Sequence, residues 1–183
     1  MAVVPFAPWR PDVAELNNAV MGDVRNVLCA DGSYQPFPAI EAFTDALPAV
    51  PLGAFVARTL SGQVTIFAGT ADGLYKLNNT SLAWDDVTQT AMTYGATSTA
   101  PWSFGQFGEY VVAVNENDDP QVFNLGSSTE FADLGGSPPR AGCVKVWGDF
   151  LVLMRLTSNP NRVHWSGLNN ITQWTPGTAN ADY

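Results

Sequence analysis

The chain has 183 residues, 46% of them hydrophobic and only 14% charged, with eight basic against 17 acidic residues and a net charge of −9. That balance excludes a disordered chain and argues against a phosphate-binding surface, which needs clustered Lys and Arg. Sixteen glycines and 13 prolines beside so few charges suit short strands and tight turns better than long salt-bridged helices, so an all-β fold is expected.

Residues 1–52 form a proline-rich arm. Pro5, Pro8, Pro11, Pro36, Pro38, Pro48 and Pro51 fix φ and remove backbone donors, which predicts extended and looped chain, with one short helical turn over Ala42–Leu47 (AFTDAL). The start, MAVVPFAPWRPD, lacks the basic n-region of a signal peptide, and no 18-residue apolar run offers a membrane span. Synthesis in a cytoplasm and no stable membrane binding are expected. Phe6, Trp9, Tyr34, Phe37 and Phe43 are too many large apolar groups for a solvated tail. They are candidate contacts, either with the chain's own sheets or with a neighbouring subunit.

From residue 53 the chain repeats itself. Gly62-QVTIFAG, Gly108-EYVVAVN and Gly148-DFLVLMR each set a glycine turn before an apolar run of strand type. Each run leads through a polar turn into a second short strand: ADGLYKL, NDDPQVFNL and SNPNRVHW. Each unit then presents an aromatic residue, Trp84, Phe131 or Trp174, and each glycine is preceded by a further apolar segment, AFVART, PWSFGQF or AGCVKVW. About four strands per unit follow, in units 53–98, 99–140 and 141–183.

Four antiparallel strands in 40 to 50 residues match the blade of a β-propeller, and a plain β-sandwich is the alternative. Phe67, Trp84, Phe123, Phe131, Trp147, Trp165 and Trp174 are the aromatic residues expected to pack between blades, and VHWSGLNNITQW (Val163–Trp174) is expected to be the outer hairpin of the third. Three blades do not close a ring. Either further blades follow in a longer protein, or other copies or partners cover the outer faces.

The segments PFAPWRPDVAELN, ADGSYQPFP and GAFVARTLSGQVTIFAGTADGLYKLNN, then SLAWDDV and WSGLNNITQW, resemble the amino-terminal part of tailed-bacteriophage virion proteins of the tail nozzle or tail tubular type. The resemblance implies a β-propeller in a hexameric ring below the portal and its adaptor, extending the DNA exit channel and docking fibres or spikes. It implies a virion structural role in the tail after assembly in the host bacterial cytoplasm, with DNA only passing through. The chain departs from the family in length, lacking the region that completes the propeller. Its acidity suits a channel wall that repels DNA.

Chemical motifs are sparse. His164 is the single imidazole, flanked by Val163 and Trp165 in an expected strand, and no nucleophile and carboxylate can be assigned to it by spacing. Cys29 and Cys143 are too far apart in sequence for a closely spaced thiolate zinc site and too few for a disulfide scaffold, so reduced thiols are expected. Asn115, Asn117 and Asp119 in NENDDP resemble half of a calcium loop, but Pro120 stands where an EF-hand needs glycine, so a hairpin turn is expected. No phosphate loop, nucleophile elbow or zinc helix is present in the sequence. No enzyme activity, cofactor or metal is expected. Trp84, Trp102, Trp165 and Trp174 are the candidates for sugar stacking in the alternative reading, a carbohydrate-binding propeller of lectin or adhesin type.

Overall fold

The structure, a computed structural model, describes residues 8–10, 12, 23–30 and 33–183. These form only β-strands and connecting loops. Contacts divide the chain into two compact units, Met1–Ala42 and Phe43–Tyr183. In the first, strands β1 (Val27–Ala30) and β2 (Ser33–Pro36) pair antiparallel with Val27 opposite Pro36. The Trp9 amide donates to the Tyr34 hydroxyl at 2.7 Å, and the Phe37 amide to the Asn26 carbonyl at 2.8 Å.

The second unit holds three antiparallel sheets, each laid down in chain order. The first sheet runs β3 (Gly53–Arg58), β4 (Val64–Gly69), β5 (Leu74–Leu77) and β6 (Trp84–Asp86). The second runs β7 (Ser103–Phe107), β8 (Tyr110–Val114), β9 (Gln121–Asn124) and β10 (Ala132–Asp133). In the third, β11 (Ala141–Trp147), β12 (Phe150–Leu156) and β13 (His164–Trp165) make three strands. The expected fourth strand does not form around Trp174. The chain there folds under the sheet, and Asp182 alone bridges Trp165 at the fourth-strand position.

The first strands β3, β7 and β11 lie side by side in that order, so the sheets stack face to face. Strand alternation then sorts the core. In β8, Val111 and Ala113 pack with Phe67, Phe104, Phe123 and Phe131 toward the first sheet, whereas Val112 and Val114 pack with Val144, Leu151, Leu153 and Leu156 toward the third. The run VVAV is continuous because both faces of this middle sheet are covered.

The hairpins β7–β8 and β11–β12 are built alike. Phe107 pairs with Tyr110, and Trp147 with Phe150, around the two-residue turns Gly108-Glu109 and Gly148-Asp149. Both glycines have φ +57, the left-handed conformation that a first-position glycine supplies in such a hairpin. These two sheets therefore share one register, with Trp147 equivalent to Phe107, Phe150 to Tyr110, Val152 to Val112 and Trp165 to Val122.

Two further sequence expectations are corrected. Ala42–Leu47 forms no helical turn: the Asp45 amide donates to the Leu82 carbonyl at 3.0 Å and its own carbonyl accepts the Trp84 indole N–H at 3.1 Å. These bonds to a neighbouring segment replace the local ones a helix would need. Val163–Trp174 is not an outer hairpin. After β13 the chain turns at Gly167–Asn170 and inserts Ile171 and Trp174 into the core between the second and third sheets, where burial of large apolar side chains outweighs continued strand pairing.

Candidate interaction surface

Phe67, Phe123 and Phe131 form a closed aromatic cluster, with ring centroids 5.1, 5.6 and 5.2 Å apart and exposures of 0–2%. Trp174 is also buried, its indole N–H donating to the Ile171 carbonyl at 2.8 Å. Trp84 and Trp165 are half-buried at sheet margins, and Trp165 donates to the Asn180 carbonyl at 2.8 Å. Trp147, expected to pack between blades, stands 81% exposed in the single chain. Its register equivalent Phe107 packs against the inter-sheet core, but the outer face of the third sheet, on which Trp147 lies, is not covered by either of the other two sheets of its unit.

Of the arm residues, Phe6 lies outside the described residues. Trp9, Phe37 and Phe43 are 49%, 52% and 76% exposed, and Tyr34 is half-buried. Phe43 belongs by its contacts to the unit of the three sheets.

Sequence reasoning did not assign Trp102, Tyr94 and Phe104 to the core. Trp102 was a candidate sugar platform, yet it is buried, donates its indole N–H to the Thr70 carbonyl at 2.7 Å and meets Tyr94 edge-on at 5.0 Å. Its ring lies so close to Gly69 that a Cβ there would overlap it. The available signal was the glycine ending a strand, since a glycine in a strand often marks close approach by another group. Tyr94 donates its hydroxyl to Gln121 Oε1 at 2.9 Å, and Gln121 Nε2 donates in turn to Asp133 Oδ1 at 2.8 Å. Burial, with the negative charges of Asp133, Asp118 and Glu130 adding to it, pushes the Tyr94 hydroxyl up to about 12.

The polar candidates each have partners close by. His164 sits between the rings of Trp174 and Tyr183 at 5.5 and 5.6 Å, with Nε2 2.9 Å from the Trp174 carbonyl oxygen. In NENDDP, Asn115 Oδ1 accepts the amides of Asn117 and Asp118 at 2.8 and 2.9 Å, closing a side-chain-capped turn. Asp119 instead pairs with Arg140 at 2.7 Å. Among the described residues no three His, Cys, Asp or Glu side chains converge on a point that suits a metal.

What the molecule presents is two outer sheet faces. On the third sheet, Trp147, Phe150, Val152, Val163 and Trp165 line an open depression of about 500 Å³ beside the Gly148-Asp149 turn. On the far side of the first sheet, Val56 is 62% exposed, with Val64 and Ile66 half-buried beside it on the same face. Exposed apolar faces of this kind are common sites of association with protein or other apolar groups. In sequence, the chain matches no protein-family model and no curated protein.

Proposed function

We propose that the chain is a non-enzymatic structural subunit of a phage tail, of the nozzle or tail tubular kind, in which the three stacked sheets are successive blades of a β-propeller. The observation that carries the reading is the stacking itself. Three meanders, each begun by a strand beside the first strand of the one before, give a rigid wall whose flat faces invite more of the same. The arm motifs and repeat segments that resemble nozzle proteins supply the tail setting. In that role the chain contributes to a ring around the DNA exit channel, contacts the portal–adaptor assembly and fibres or spikes, and acts by geometry. The net charge of −9 keeps passing DNA from adhering.

Tail particles assembled without their nozzle provide the test. The purified chain should co-sediment with them and appear by electron microscopy at the adaptor end. No binding to such particles under conditions where the folded chain is stable would remove the tail assignment.

A second reading, a carbohydrate-binding propeller domain, is favoured by one feature: exposed Trp147 beside Trp165 and Asp149 resembles a platform on which a sugar ring stacks. Glycan-array binding with quenching of tryptophan fluorescence would support it over the tail role.

A further inference from the structure

The stack contains a rule for how one sheet covers another. The connection that follows the third strand of a sheet folds back onto the sheet before it. From the second sheet, the connection after β9 brings Phe131 onto the first, its amide bonded to the Val87 carbonyl at 2.8 Å and its ring 5.6 Å from Phe67. From the third, the connection after β13 brings Asn169–Thr172 over the second, where they line one shallow pocket with Phe107, Tyr110, Val122 and Leu134, and Ile171 joins the same apolar cluster as Phe107, Val122 and Leu134. Ile171 ends there 8% exposed.

The register equivalents of Phe107, Tyr110 and Val122 on the third sheet are Trp147, Phe150 and Trp165. These line the open depression. The bare face is thus the same docking surface one step further along, without an occupant among the described residues of the three-sheet unit. Lys145, also on this face, has an apolar stem that can lie along a covering sheet while its ammonium group reaches water.

The first sheet supplies the complementary half. Its Phe55 and Ala57 point to the second sheet, so the alternate residues Val56, Val64 and Ile66 occupy the side that in the second and third sheets meets the sheet before. Its own third-strand connection, Asn78–Ala83, carries the half-buried Leu82.

We propose that a second copy of this chain docks head to tail, its first sheet covering the Trp147–Trp165 face of the third sheet, with Leu82 taking at that depression the place that Ile171 takes one sheet earlier. The two halves of the contact are different surfaces of one chain, so the interface is heterologous and repeats into a ring or a filament. This deepens the ring reading of the tail subunit and rests on it for its biological setting, while the contact has its own test.

That test is light scattering on the full chain across a concentration series, with Trp147→Glu and Val56→Glu. Each substitution lies on an exposed side chain, and circular dichroism checks that the fold is kept. The wild type should grow in mass with concentration, each variant alone should stay monomeric, and an equal mixture should stop at a dimer, because each variant retains one intact half. Val163→Lys, at a position 42% exposed, repeats the third-sheet variant without touching a tryptophan.

A wild type that stays monomeric at every concentration overturns the contact. So does association that survives either Glu variant, or a mixture of monomeric variants that fails to pair. Glycan binding lost in Trp147→Glu would assign the face to sugar instead. Failure to join nozzle-less particles while the variants still complement would remove the tail setting and leave the contact standing.

Discussion

The two covered interfaces of the stack obey one geometry and are filled differently. Between the first and second sheets the core is aromatic, built on Phe67, Tyr94, Trp102, Phe104, Phe123 and Phe131. Between the second and third it is mostly aliphatic, built on Val112, Val114, Val144, Leu151, Leu153 and Leu156, with Trp174 as its single buried aromatic ring. The polar ties differ too. The first pair is joined by Gln106, which bonds both the amide and the carbonyl of Arg58 at 3.0 and 2.5 Å. The second pair is joined by the ion pairs Arg155–Glu116 and Arg140–Asp119. Stacking is therefore set by the alternation of the strands and the return of each connection, and tolerates very different side chains as long as the space is filled.

The aromatic seam should be the costlier to damage. Phe67→Ala removes a ring with two edge-to-face partners and should cost about 3–5 kcal/mol in urea unfolding, against about 2–4 kcal/mol for Leu153→Ala in the aliphatic seam. The two residues lie in separate core clusters on opposite sides of the second sheet. The double variant should then lose the sum to within about 0.5 kcal/mol, and a strong departure would show that the seams are one cooperative unit.

Tyr94→Phe probes the polar heart of the same aromatic seam. It leaves Gln121 Oε1 without its donor and should cost about 1–2 kcal/mol. The raised Tyr94 value also fixes a sign. An acid whose folded value is higher than its unfolded one binds its proton more tightly in the native state. Its contribution is therefore complete below about pH 10 and is lost as pH rises toward about 12. Wild type should lose stability over that window, and Tyr94→Phe should lose less.

At the hairpin of the aliphatic seam, Gly148→Ala meets no atom within 4 Å of the new Cβ, so only the positive φ opposes it. The expected loss is about 1 kcal/mol, smaller than any core truncation. Smallest of all, Trp147→Ser in dilute monomer should change the unfolding free energy by less than about 0.5 kcal/mol, since its ring has no covering sheet. A large loss there would mean that the outer face is already occupied within the chain.

Much of this architecture was legible in the residues. The glycine before each apolar run marked a hairpin, and the runs became β4, β8 and β12. Less legible was the fate of individual aromatics. Trp102 and Trp147 both stand in apolar segments that precede a hairpin glycine, yet one is 5% and the other 81% exposed. No local pattern separates them, because the burial of each depends on whether segments distant in the chain lie over its ring.

The sequence by itself determined the central strands of the three sheets, their hairpin glycines and the threefold recurrence, since these follow from backbone preferences and a period of two that short stretches carry. Only the tertiary structure decided which connection folds back onto which sheet, that Ile171 and Trp174 leave the strand path for the core, and that the third sheet keeps one face bare. Those outcomes depend on residues far apart in the chain competing for the same apolar surface, and burial of that surface is non-directional and does not respect sequence order.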